Sequence, residues 1–300
     1  MHTRASRYVS LLTGLALFAA ALWGVSGCGG SQKGADGGTD VLTVRARQVA
    51  AAWGGSTAAA AWRAGYYPMG ETVQLPRGGL HGRADQRAYE DQNFVLRGTL
   101  PGSGPKDGQV TWAGGTSLTR PLVGALESYK TLAGTRVGGK PHLAVTRAKL
   151  GEMSVATSRG PATVPAWLFT LDGYASPFKQ AAVLPSKLPQ PPIRSSRGVP
   201  GYPINRLVGI AADGRSVTVV ALHGVCDEGA VVDVLESKGS IVLSASVKNQ
   251  KHDGNCTKQA KMQRVTVQLE RSMGDRVLLD ARTGQPVTYK GLRGTSPSRS

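Results

Sequence analysis

Four side chains in the last third of the chain have types and spacings that could bind a metal or join to one another. His223 stands three residues before Cys226, and His252 stands four residues before Cys256. Two His and two Cys at such separations match the ligand set of a structural zinc site. In an oxidising compartment the same two cysteines would instead pair as a disulfide. Closing a loop of that length stabilises by roughly 3–4 kcal/mol in the chain-entropy account. Lys248, Lys251 and Lys258 ring the second pair, which disfavours a cation and favours the disulfide; both readings stay open from sequence. Nucleophilic catalysis has no placed partner. Gly114-Gly115-Thr116-Ser117 is not a Gly-x-Ser-x-Gly elbow, and Ser154 has no Lys three residues on. No His-Glu-x-x-His or phosphate loop occurs, so no catalytic residue, metal or cofactor is expected. The adjacent carboxylates Glu90-Asp91 and Asp227-Glu228 read as solvated loops, because chain neighbours rarely converge on one substrate. Trp62 and Tyr66 in one segment, and Arg159 and Trp167 in another, could stack on a sugar or peptide ligand. The same residues could equally be core packing, with Arg159 satisfying turn carbonyls.

A third cysteine carries a different chemistry. Arg4 and Arg7 precede the apolar stretch Tyr8 to Trp23, which leads to Gly24-Val25-Ser26-Gly27-Cys28. A basic end and a short apolar run read as an export signal, and about 16 residues fall below the roughly 20 of a spanning helix. Val25-Ser26-Gly27-Cys28 resembles the bacterial lipobox, in which small residues let the protease approach the backbone before a Cys that is acylated. The expectation is a signal peptide over 1–27 and lipidation (palmitate) at Cys28. The chain would then be held on the outer face of a bacterial plasma membrane, since each buried methylene adds about 0.8 kcal/mol.

The formal net charge is +17, and removing the leader lowers it by two. Such a balance raises the question of nucleic acid, but an extracellular location argues against it. The polyanions met there are lipid headgroups and anionic wall polymers. The basic residues are also scattered (Arg45, Arg77, Arg97, Arg147, Lys187, Lys251, Arg276) rather than stacked on one helix face. The expected partners are therefore the membrane, through the lipid, and an anionic cell-wall polymer or a protein.

These side chains must be positioned by elements, and 40 Gly with 17 Pro in 300 residues favour strands and turns over helical bundles. The expected class is α+β and β-rich. Residues 28–40 read as a flexible tether. Residues 41–184 form a mixed α+β domain, 185–203 a Pro-rich linker, 204–290 a β-rich domain with the disulfide, and 291–300 a disordered tail. Residues 43–53 are predicted helical, with Val44, Val49 and Trp53 on one face. Ser56 caps a second helix over 57–64, and another is expected within 118–132. From Glu71 onward the signals are otherwise strands and turns, including 93–98, 109–112, 143–148, 153–157 and 164–171. Pro165 places the last at an edge or bulge. Beyond the linker, Asp213-Gly214 and Lys238-Gly239 sit between strand pairs as hairpin turns. The second domain is predicted as a small antiparallel sandwich or open sheet.

Thr157–Trp167, Cys226…Cys256-Thr257-Lys258-Gln259-Ala260 and Leu278-Leu279-Asp280-Ala281-Arg282-Thr283-Gly284 resemble segments of secreted lipoproteins from high-GC actinobacteria. The resemblance covers most of 43–290. It implies the lipid anchor and an α+β body, and supplies no active site. A non-enzymatic surface protein binding a wall component, peptide or protein is the first reading. A cell-wall-modifying hydrolase is the alternative.

Overall fold

The computed structural model describes residues 36–134, 139–249, 256–257 and 259–290. Cys28, the expected leader, residues 28–35, His252 and the 291–300 tail lie outside them. Within the described residues the chain is β-rich α+β, with four helices and thirteen strands.

Helix α1 (Asp36–Trp53) and helix α2 (Thr57–Ala64) open the fold. α1 takes in the last five residues of the expected tether, continuing upstream of its first buried residue, Leu42. Its buried stripe is Leu42, Ala46, Val49 and Trp53, one residue per turn. Val44, expected on that face, points to solvent because it lies between these positions. α2 begins where its cap predicts: the Ser56 hydroxyl accepts from the Ala59 amide at 3.1 Å.

Seven strands form the first sheet, with two helices between them. In chain order these are β1 (Val73–Gln74), α3 (Gly82–Glu90), β2 (Phe94–Thr99), β3 (Asp107–Trp112), β4 (Ser117–Pro121), α4 (Ala125–Ala133), β5 (Leu143–Thr157), β6 (Gly160–Leu171) and β7 (Phe178–Ala181). β5 and β6 are a long hairpin turning at Gly160, whose φ of 91° suits glycine. The two short strands expected at 143–148 and 153–157 are therefore one. β2 joins β5 in parallel, while β7 and then β1 add antiparallel on the other side of β6. Pro165 is not at an edge. Its carbonyl accepts from Ala182 N, so its missing N–H faces the flank where β6 changes partner from β3 to β7. One face of the sheet packs Phe94, Val145, Trp167, Phe169 and Phe178 beneath α3 and α4. The other packs Val110, Trp112, Val155 and Val164 around Tyr66.

The second lobe holds β8 (Arg206–Ile210), β9 (Ser216–Gly224), β10 (Gly229–Glu236), β11 (Ser240–Lys248), β12 (Ala260–Gln268) and β13 (Val277–Asp280). They form two three-stranded sheets, β12-β9-β8 and β10-β11-β13, sharing one core. Both predicted hairpins are present, with Gly214 at φ 69°. The expectation of a wholly antiparallel layer is corrected at one pair, since β13 runs parallel to β11. It reaches that position by returning across the layer after β12.

The domain boundary also needs correcting. α1 and α2 precede the first sheet, yet Ala46, Val49, Trp53, Ala58 and Trp62 lie in the core of the second lobe. The segment Leu278–Gly284 explains this. Trp53 Nε1 donates to Gly284 O at 2.8 Å and Arg45 Nε to Ala281 O at 3.0 Å. Asp280 holds the turn by accepting from Thr283 N and Thr283 Oγ1, and from Ile204 N. Nor does the Pro-rich stretch 185–203 hang free between lobes. It is an extended strap, its carbonyls taken by Arg45 at Arg194, Tyr67 at Lys187, and Arg282 at Gly201.

Candidate functional site

Two of the cysteines meet as expected. Cys226 and Cys256 form a disulfide with Cα atoms 6.0 Å apart. It closes the end of the β9–β12 ladder, where Gly224 pairs with Ala260 and Val225 N donates to Gln259 O. His223 turns its Nδ1 to the carbonyl of Gly224 at 2.8 Å.

The aromatic residues expected at a ligand surface are not brought together. Trp62 is buried and stacks on Tyr67, centroids 4.4 Å apart and nearly parallel. Tyr66 is fully buried in the other core, and burial drives its hydroxyl well above the ordinary tyrosine range. Trp167 is buried with Nε1 donating to Val123 O at 2.7 Å. These three are core side chains: Trp62 lies on the buried face of α2, Tyr66 follows that helix into the first-lobe core, and the alternation of β6 turns Trp167 inward. Arg159 alone is partly accessible. Its guanidinium lies 3.8 Å above the Trp112 ring and reaches Thr116 Oγ1 at 3.2 Å. Trp112 in turn donates to Thr157 Oγ1 at 3.0 Å, so the cluster locks two turns together.

A cleft that sequence reasoning did not find lies at the opposite end of the β5–β6 hairpin. Parallel pairing of β2 with β5 brings both strand starts to one end of the sheet, where β6 finishes. The start of α3 reaches the same end. The result is a cleft of about 680 Å³ lined by Asp85 and Arg87 of α3, Arg97 of β2, Lys140 and His142 before β5, and Asp172 and Tyr174 after β6.

Tyr174 is its fixed point. The turn carrying it has Gly173 at φ 78°, and Tyr174 N donates to Leu171 O. Its ring stacks on His81 with centroids 4.1 Å apart. Its hydroxyl accepts from His81 N at 2.8 Å and donates to Asp85 Oδ2 at 2.5 Å. Burial and then the bond to the Asp85 carboxylate push its pKa up to about 12, so it remains a donor at neutral pH. Across the cleft, His142 Nδ1 meets the Gly139 carbonyl at 2.9 Å and must carry the proton there. Nε2 is then the acceptor for Arg97 Nη2 at 3.1 Å. Arg97 also approaches Asp172 at 3.8 Å. Asn93 Nδ2 donates to Pro141 O at 2.8 Å and ties this wall to the end of α3.

Of the two carboxylates of the cleft, Asp85 is hydrogen-bonded by Tyr174, while Asp172 stays exposed and only faces Arg97 at 3.8 Å. Arg87 and Lys140 have no carboxylate within ion-pair reach among the described residues. The cleft presents N–H donors and positive charge. It suits an anionic or strongly accepting ligand. Tyr174 and Asp85 are 89 residues apart, so no local spacing could announce them. The Asp172-Gly173-Tyr174 turn signal was the only trace.

No family model, curated protein or solved structure matches this chain.

Proposed function

We propose that the protein is a lipid-anchored, non-enzymatic binding protein of the bacterial cell surface, and that the Tyr174 cleft holds an anionic wall component. The observation that carries the ligand class is the gathering of Arg87, Arg97 and Lys140 around a neutral tyrosine whose hydroxyl is bonded to Asp85. The location rests on the leader and the small residues before Cys28, and the likeness of three segments to secreted lipoproteins supports it. The Cys226–Cys256 disulfide agrees with an oxidising exterior. A hydrolase would need a free carboxylate or base at the reacting bond. With Asp85 bonded to Tyr174 and the cleft's cations outnumbering its carboxylates, binding is the better reading.

Two experiments test it. Mass spectrometry of the mature protein is expected to find Cys28 as an acylated N-terminus, and a bare sulfur or another start would remove the anchor. Titration of the purified chain with glycerol phosphate oligomers is expected to show saturable, salt-sensitive binding. The pair Arg97→Gln and Lys140→Gln should weaken it by about tenfold or more, as loss of two charged hydrogen bonds implies. Equal binding by that variant would reject the cleft.

A further inference from the structure

A second cleft adjoins the first and shares Tyr174 as a wall. Its volume is about 550 Å³. The sheet register builds its floor: Lys149 of β5 is paired with Leu168 of β6, Leu168 with Lys179 of β7, and Lys179 with Gln74 of β1. Directly paired residues share a face, so these four side chains stand in one row across four strands. The two lysines flank Leu168 at two strand spacings, about 10 Å between backbones. Arg77, just after β1, completes the rim. Its amide is held by Ser176 Oγ at 2.6 Å, which fixes the loop beside Tyr174. Among the described residues none of Arg77, Lys149 and Lys179 has a carboxylate within ion-pair reach.

Packing alone does not call for two lysines without carboxylate partners in this row. Alternate residues of β6 face the helices, and Leu168 only touches the margin of the opposite core. Lys179 Nζ reaches only the Glu152 carbonyl, at 3.3 Å, and neither lysine has its charge balanced by a carboxylate among the described residues. Their arrangement makes sense if something anionic lies over them.

We infer that the two clefts form one continuous track for a linear phosphodiester polymer, which runs from Arg97 and Lys140, past the Tyr174–His81 stack, onto the Lys149–Leu168–Lys179 row. This rests on the reading of the first cleft as an anion site and deepens it. A small anion would be served by one cleft, whereas charges set in series on both sides of an aromatic divider fit an extended chain of repeating charge. A bilayer would ask for a protruding face, and both features are concave. Tyr174 and His81 offer ring surface between the charged stretches, where the uncharged part of each repeat would rest.

The test uses the full chain carrying Cys28→Ser, so that no acyl group partitions into lipid. Probes are glycerol 3-phosphate, glycerol phosphate oligomers of graded length, and vesicles containing phosphatidylglycerol. Affinity per molecule is expected to rise with oligomer length by about tenfold or more once both clefts are spanned, because the second contact becomes intramolecular. Lys149→Gln with Lys179→Gln should abolish that rise, leave the binding of short oligomers unchanged, and make the salt dependence shallower by about one to two units of slope. Circular dichroism and thermal melting of the double variant should match those of the parent. Length dependence that survives the double variant, or affinity flat with length, would overturn the track and leave the first cleft standing. Binding by no oligomer, with no effect of Arg97→Gln, would overturn the first cleft as well. Vesicle binding that depends on both lysines, without oligomer binding, would assign the row to a membrane and overturn the proposal.

Discussion

Because the Tyr174 hydroxyl accepts from the His81 amide and donates to Asp85, Tyr174→Phe removes two bonds while leaving the ring stack. The cost should be about 1–2 kcal/mol in urea unfolding. Its ionisation gives a more direct reading. A nearby carboxylate disfavours tyrosinate, so Asp85→Asn should let Tyr174 ionise at a lower pH than the value near 12 that it now holds. Ultraviolet titration, with Tyr174→Phe identifying the signal, would show it. A second residue pair governs acid stability. Glu236 and Arg276 meet at 2.6 Å and are both buried. Burial by itself would raise the Glu236 pKa, but the Arg276 hydrogen bond, the Glu270 amide and the Arg276 charge outweigh it and hold the carboxyl below its ordinary value. A carboxylate depressed in the folded state contributes stability above its unfolded pKa, and that contribution is lost as pH falls through the folded value. Glu236→Gln should therefore lower Tm at neutral pH and reduce the unfolding free energy by about 3 kcal/mol, as for a broken buried pair. It should also flatten the fall of Tm below about pH 4, the range where free Glu protonates. Neither pair was visible in sequence, since both join residues far apart. The disulfide was, because few other cysteines competed for the pairing.

At the scale of elements, legibility followed the strength of the local signal. α2 starts where Ser56 predicts because a cap is a contact between near neighbours. The hairpins of the second lobe were readable for the same reason: Asp213-Gly214 supplies both a side-chain acceptor and the left-handed residue its turn needs. α3 went unread. Only Ala88 of its nine residues is fully buried, so it offers no apolar stripe to detect. That weakness belongs to its role, since its other side chains must remain available to form a cleft wall. The 118–132 region merged two elements: β4 pairs with β3, and α4 begins only at Ala125. Two element-level outcomes can be measured. Replacing both Cys226 and Cys256 with Ala should cost about 3–4 kcal/mol, with the loss confined to the second lobe in hydrogen exchange. Gly98→Ala in β2 should be more damaging than its half-buried strand position suggests. A Cβ there would overlap the Thr146 carbonyl of the neighbouring strand, and the β2–β5 register shift that aims Arg97 into the cleft depends on that close approach.

For the molecule as a whole, sequence order and packing order differ. The chain builds part of its second lobe first, crosses to make the entire first sheet, and then returns along the Pro-rich strap. The crossing is marked by adjacent tyrosines that enter different cores, Tyr66 the first lobe and Tyr67 the second. The outgoing and returning segments are tied there, with Tyr66 N donating to Ser186 Oγ and Ser186 N to Tyr66 O. A division at 185–203 follows composition, whose Pro-rich run is real, but composition cannot register a helix that packs against strands some 200 residues away. The two lobes should then behave unequally when separated. A 70–184 fragment keeps nearly every member of its two cores, losing Tyr66, and should fold with a lowered Tm. A 204–290 fragment keeps all six strands and the disulfide yet loses Trp53 and Trp62. Truncating one buried Trp costs about 3–5 kcal/mol, against a typical domain stability of about 5–15 kcal/mol. That fragment should show strand signal without a cooperative urea transition and should bind a hydrophobic dye. Adding a 41–69 peptide in trans should restore the transition, because the Gly284 and Ala281 carbonyls and the open core are the sites that α1 fills. A cooperative 204–290 fragment, indifferent to the peptide, would mean that the helices merely rest on a lobe able to stand without them.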